Sequence, residues 1–190
     1  MNAVHTHLTV CAAEAARVAR GVTADQLPEP SVCADWTVRE LVNHLVLYSG
    51  HGLERRALRE QLPESTVQRD FTADADWAEQ YAAQLDRALA AWEKPDVWEG
   101  DVDTGYATMP APVIASLLVK ELALHGWDLA RSTGERLTLP DATGTFVLAI
   151  VAEHAEVYRQ YEGFAAPVDV PEPASDFERA LAASGRDPRA

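Results

Sequence analysis

The sequence contains only two cysteines, Cys11 and Cys33, in 190 residues. They do not form a C-x-x-C pair, so no disulfide framework is indicated. Basic residues are also scarce, since 16 Lys and Arg stand against 30 Asp and Glu, for a formal net charge of -14. A field of this sign repels phosphate backbones and anionic lipid headgroups. We therefore expect neither a nucleic acid nor a membrane surface as the partner.

Long apolar runs are absent as well. The longest stretch without a charged residue, 104–119, is interrupted by Gly105, Pro110 and Pro112. It is too short and too broken to span a bilayer. Residues 1–10 lack the basic cluster and apolar core of a secretory signal. These absences predict a cytoplasmic protein.

Helix formers dominate what is present. Alanine is abundant, and Val and Ile mostly occur singly between helix formers, which favours helix over sheet. The spacing of apolar residues predicts an all-α chain whose helices cover about 3–20, 37–62, 74–93, 110–133, 140–161 and 175–183. Residues 97–109 are predicted to form a long connection with a short hairpin. We expect a helical bundle over 1–165 and an extended arm with a short helix over 166–190.

The second predicted helix has clear start and stop signals. Thr37 and Glu40 have the spacing of a capping box, and Pro63 is expected to end the helix. His44 lies in the middle of the apolar stripe of this helix. We therefore expect its imidazole to be at least partly buried.

The fourth predicted helix places acidic residues and a histidine on the side of its apolar stripe. Glu121, His125 and Asp128 follow each other at helical spacing. Charges on a core-facing stripe are costly unless something compensates them, and a metal ion does so strongly. Glu121 and His125 are four residues apart, so both can point at one centre, and His44 would supply a third ligand. Two imidazoles and a carboxylate form an open divalent-metal site, for which zinc is our first expectation and nickel or iron the next.

Each of these residues also has a simpler interpretation. Glu121 and His125 could form a surface ion pair, and His44 could be a buried, hydrogen-bonded histidine. His51 could be a fourth ligand or a residue at the rim of the site. Asp128 could orient an imidazole or pair with an arginine.

Two motifs carry a resemblance to a known family: VCADWTVRELVNHL at 32–45 and ELALHGWDLA at 121–130. Together they resemble the metal-binding segments of the DinB-like actinobacterial proteins, which are similar to the N-terminal domain of mycothiol-dependent maleylpyruvate isomerase. The segments 164–173, 177–181 and 185–188 resemble the ending of the short members. The resemblance implies an up-down-down-up four-helix bundle with the metal at one end of the core.

The same resemblance implies a metal-ligand role for His44, Glu121 and His125, and a low-molecular-weight thiol such as mycothiol as cosubstrate. It suggests a metal-dependent enzyme that transfers such a thiol to a small electrophile or isomerises a small molecule, with detoxification as a role. No catalytic residue can be assigned beyond the metal site. The oligomeric state is expected to be a monomer or a homodimer.

Other functions fit the same residues. A metal-dependent hydrolase would use metal-bound water in place of the thiol. A non-catalytic metal-binding or sensing module would fill the open coordination position with a protein side chain, for example His51. A bundle with a polar core and no metal is the simplest alternative.

Overall fold

The structure is a computed structural model that describes residues 2–105 and 107–189; residues 1, 106 and 190 lie outside this description. It confirms the all-α class. The helices are α1 (Ala3–Gly21), α2 (Val38–Leu45), a π-helical turn (Val46–His51), α3 (Gly52–Leu58), α4 (Glu64–Val67), α5 (Trp77–Trp92), α6 (Ala111–Thr133), α7 (Asp141–Gln160) and α8 (Asp176–Ala183). The 3-10 turns are Phe71–Ala73 and Pro95–Trp98, and a two-stranded antiparallel ribbon joins β1 (Asp101–Asp103) to β2 (Thr108–Pro110). None of the helices, within the described residues, has the length and hydropathy needed to cross a membrane.

The chain forms two compact units, Met1–Leu137 and Thr138–Ala190. In the first unit α1 packs against α5 and α6, α2 packs against α6, and α3 packs against α5. These four contacts close a ring, so α1, the continuous helix 38–58, α5 and α6 form a four-helix bundle. Its core includes Trp92, Leu122 and Leu129, which are shielded from solvent.

Contacts between helix ends give the direction of α1 and α5. The Arg20 guanidinium at the end of α1 lies 2.7 Å from a carboxylate oxygen of Glu79 at the start of α5. At the opposite end, His5 Nε2 lies 3.1 Å from the carbonyl oxygen of Leu89. These two helices are therefore antiparallel.

The other two helices complete the predicted topology. Trp92 Nε1 donates to the Leu53 carbonyl oxygen at 2.9 Å. Both residues lie toward the C-terminal ends of their helices, so helix 38–58 and α5 run in the same direction. The Val32 amide, just before the second helix, donates to Ser132 Oγ at the end of α6 at 3.0 Å, so these two are antiparallel. The order is up-down-down-up, as the resemblance implied.

The second helix begins as predicted and ends earlier. The Thr37 amide donates to Glu40 Oε2 at 2.7 Å, and the Glu40 amide donates to Thr37 Oγ1 at 3.3 Å, which confirms the capping box. The predicted end near residue 62 is wrong, because Arg59 adopts the left-handed conformation, with φ of 58°, and closes the helix. Its guanidinium donates to the Val97 carbonyl oxygen at 3.0 Å, a tertiary contact that local sequence signals do not encode.

The hairpin predicted within 97–109 is present as β1 and β2, with residue 106 in that span outside the described residues. The second unit consists of α7 packed on α8. Gly144 permits this packing, because a Cβ there would lie 3.2 Å from the Cβ of Phe177. The predicted division between residues 165 and 166 falls inside this unit, so the structure groups the fifth long helix with the C-terminal segment.

Candidate metal centre

Three predicted ligands from two helices come together in the first unit. One donor atom from each of His44, Glu121 and His125 lies within 4.8 Å of the others. His44 Nε2 is 2.7 Å from Glu121 Oε1, and His125 Nε2 is 3.4 Å from the same oxygen. The four-residue spacing on α6 aims two side chains at one point, and antiparallel packing of α2 against α6 brings His44 to it.

The Glu121 carboxylate is held in its charged form. Burial by itself would raise the pKa of Glu121, but His125, Lys120 and His44 outweigh it and keep the pKa well below the ordinary value. The ammonium of Lys120, a side chain that is only 5% exposed, lies 3.3 Å from Glu121 Oε2. An ionised, largely buried carboxylate between two imidazoles is a donor set suited to a cation.

Asp128 contacts one of the predicted ligands, the His125 imidazole. Its side chain is almost fully buried, and its Oδ2 lies 2.9 Å from His125 Nδ1. A carboxylate on one ring nitrogen fixes the tautomer and leaves the other nitrogen facing a metal. Here that other nitrogen, Nε2, is the one directed toward Glu121.

Aromatic rings enclose the two histidines. The Trp36 ring centroid is 4.8 Å from that of His44 and 6.2 Å from that of His125. The Tyr48 ring centroid is 4.7 Å from that of His44. These rings restrict the rotation of the imidazoles and exclude water from part of the site. Sequence reasoning assigned neither ring to the site, although Tyr48 is one helical turn beyond His44.

Sequence reasoning also missed a second donor group. Cys33 Sγ, a nitrogen of His125 and an oxygen of Asp128 all lie within 4.8 Å of one another. Cys33 belongs to the same motif as His44, which was the available signal. The other cysteine, Cys11, is buried, and its burial raises the pKa of the thiol to about 12.

The structure does not bring His51 to the other three residues. Its ring stacks on Phe71, with centroids 5.2 Å apart and an interplanar angle of 22°. The π-helical turn that ends at His51 explains the difference, because a π turn inserts one residue and rotates the later part of the helix by about 100°. His51 is thereby turned away from the stripe that carries His44.

Comparison with known proteins agrees with this architecture. Residues 8–130 match the family described as the mycothiol maleylpyruvate isomerase N-terminal domain. The chain belongs to this family. Two uncharacterized proteins of Mycobacterium tuberculosis, MT0763 of strain CDC 1551 and Rv0738 of strain H37Rv, are each 29% identical to it over 142 residues. The alignments cover 75% of this chain and 72% of each relative.

Solved structures show the same fold. The crystal structure of a mycothiol-dependent maleylpyruvate isomerase superimposes with a TM-score of 0.69 at 19% identity, covering all of this chain and 92% of that one. A mutant of that isomerase gives a TM-score of 0.63 at 17% identity, covering 92% of this family member and 78% of the mutant chain. At these identities the likeness establishes the fold.

Proposed function

We propose that this protein is a divalent-metal-dependent enzyme of thiol chemistry. Its reaction would transfer mycothiol or a similar low-molecular-weight thiol to a small electrophile, or isomerise a small molecule with the help of that thiol. Family membership supports the thiol, since the matching family is that of the mycothiol maleylpyruvate isomerase N-terminal domain. The observation that carries the proposal is the convergence of His44, Glu121 and His125 within 4.8 Å.

The residues present fit a divalent metal. Two imidazoles and a carboxylate would hold zinc, which is our first choice, or nickel or iron, and leave a position open. When bound, such a cation lowers the pKa of a thiol and so favours the nucleophilic thiolate. The low pKa of Glu121 would keep its carboxylate ionised for the metal, and the Asp128 contact would hold His125 with Nε2 available as a ligand atom.

Arg56 offers a means of holding an anionic group beside these donors. Its Nη1 donates to the Gly52 carbonyl oxygen at 3.2 Å, and the guanidinium interacts electrostatically with Tyr48 and Glu121. Burial lowers the pKa of Arg56, although the group stays charged because arginine starts so high. A partly buried guanidinium would bind and orient a carboxylate of the thiol or of the electrophile. We place this activity in the cytoplasm, with a detoxifying role.

The deciding experiment combines elemental analysis with thiol-dependent turnover. We expect one equivalent of divalent metal per chain, and consumption of halogenated aromatics or epoxides that requires both metal and added mycothiol. The matched variants are His44→Ala and, as a control from the second unit, His154→Ala. His44→Ala should lose both metal and turnover, whereas His154→Ala should retain both.

Other outcomes would replace the proposal with a specific alternative. Ester or amide hydrolysis without added thiol would indicate a hydrolase. Stoichiometric metal with no turnover across the electrophile panel, and with every coordination position filled by protein, would indicate a binding or sensing module. A protein that takes up no metal would overturn the proposal altogether.

A further inference from the structure

A cavity in the first unit lies between the π-helical turn, the Phe71–Ala73 turn and α5. It has a volume of about 100 Å³, which is the volume that roughly three water molecules occupy in the liquid. Its wall includes His51, Arg69, Phe71, Gln84 and Arg87. None of the three predicted metal ligands lines this cavity, so it is separate from the candidate metal centre.

Two guanidinium groups border this small cavity in a chain of net charge -14. Arg87 donates to the neutral amide oxygen Gln84 Oε1 and, within the described residues, forms no ion pair with a carboxylate. Arg69 pairs with Asp74 at 2.5 Å, but both side chains are more than 40% exposed, so the pair contributes little and can be exchanged. Two neighbouring cations repel each other, and an anion between them relieves that repulsion.

The direction of the Arg87 side chain is set by a buried amide. Gln84 is only 3% exposed, and its Nε2 donates to Glu54 Oε2 at 2.8 Å. Its Oε1 is therefore free to accept from Arg87, as observed. A guanidinium held in place loses less conformational entropy when it binds an anion.

The walls of the cavity are flat. The rings of His51 and Phe71 stack, and the Arg69 guanidinium carbon lies 5.4 Å from the Phe71 ring centroid. Burial lowers the pKa of His51, and nearby arginines, including Arg87 and Arg69, add to this effect while Glu54 opposes it. At neutral pH the imidazole is therefore uncharged, a planar surface that can also donate or accept a hydrogen bond.

We propose that this cavity binds a small planar carboxylate. Its oxygens would pair with Arg69 and Arg87, because the planar guanidinium fork matches the geometry of a carboxylate. Its flat body would lie against Phe71 and His51. Binding of such a carboxylate requires neither a metal nor a thiol and is therefore separate from the proposed enzymatic function.

Benzoate is a suitable probe, titrated into the purified full chain by isothermal calorimetry at low ionic strength. We expect saturable binding of one benzoate per chain in the millimolar range. Arg87→Gln and Arg69→Gln should each weaken it about tenfold or more, because each removes a charge-assisted hydrogen bond. Arg131→Gln is the matched control, since Arg131 lies over the Trp127 ring, outside the cavity wall, and should bind as the wild type does.

Two comparison ligands test the shape of the site. Cyclohexanecarboxylate has the charge of benzoate without its flat ring, and inorganic phosphate has the charge without a planar anionic group. Both should bind several-fold more weakly than benzoate. The proposal is overturned if benzoate binding does not saturate, or if phosphate binds as tightly as benzoate. It is also overturned if Arg87→Gln and Arg69→Gln keep wild-type affinity for benzoate while circular dichroism shows that both variants are folded.

Discussion

Helix 38–58 has opposite chemistry on two of its sides. His44 lies beside a carboxylate and a second imidazole from α6, a set that favours a cation. His51 lies in a cavity bordered by the guanidiniums of Arg69 and Arg87, which favours an anion. The same residue type on one helix is therefore placed in surroundings of opposite charge, and the neighbouring elements decide what each histidine can do.

The π-helical turn between the two histidines produces this difference. Seven residues of a regular α-helix complete nearly two turns, so both rings would point to about the same side. The π turn over Val46–His51 adds one residue and rotates the later histidine away by about 100°. π turns are frequent at functional sites, and here one turn lies between the two proposed sites.

Removing either histidine of the cation site should give the largest effect. His44→Ala and His125→Ala each delete a ligand, and we expect metal affinity to fall by at least roughly 100-fold, because loss of even a supporting residue costs 10- to 100-fold. Competition with a chelating dye would measure it. His51→Ala is the matched control on the same helix and should keep stoichiometric metal. If His51→Ala lost as much metal affinity as His44→Ala, the two histidines would not belong to separate sites.

Asp128→Asn should have the next largest effect. The amide can keep contact with His125 Nδ1 but loses the charge that makes the ring a better ligand, so metal affinity should fall about 10- to 100-fold. The same dye competition measures this change. Asp86→Asn, on the exposed surface of α5, controls for loss of one negative charge. Benzoate binding in the other cavity should be unchanged in both variants; a parallel loss there would mean that the two sites are not independent.

The sequence was sufficient to predict which residues converge at the candidate metal site, but less of its surroundings. Helical spacing put Glu121 and His125 on one side of α6, and the capping box set the start of the helix that carries His44. The position of His51 was not predictable, because apolar spacing assumes a regular helix and contains no signal for a π turn. The proximity of Cys33 to His125 depends on how a loop folds back over α6, and local spacing does not encode such a contact.

A smaller effect is expected at the start of the shared helix. Thr37→Ala removes the hydroxyl that accepts from the Glu40 amide, and the free energy of unfolding should fall by about 1 kcal/mol, measured by urea denaturation. Thr66→Ala is the matched control, because Pro63 rather than Thr66 caps its short helix. Fraying here should weaken metal binding more than benzoate binding, since the cap is closer to His44 than to His51. The reverse order would contradict the idea that the bundle holds each site through its own contacts.

The smallest effect is expected at Tyr81, which lies between the two sites. Its hydroxyl is 2.7 Å from Ser49 Oγ on the π turn, and its ring lines the anion cavity. Burial raises the pKa of Tyr81 and the Glu121 carboxylate adds to the shift, so the hydroxyl stays protonated at neutral pH. In thermal or urea unfolding, Tyr81→Phe should lower the free energy of unfolding by only about 0.5 kcal/mol, because Ser49 keeps its bond to the Leu45 carbonyl oxygen.

Tyr161 in the second unit is 76% exposed, so Tyr161→Phe is the control for Tyr81→Phe and should leave stability unchanged. Metal and benzoate affinities of Tyr81→Phe should each stay within about threefold of wild type, because the phenol is neither a predicted ligand nor a cation. If both affinities drop together by more than tenfold, the hydroxyl couples the two sites through the π turn. Helix 38–58 would then couple the two sites, and binding of a ligand beside His44 would change the affinity for a ligand beside His51.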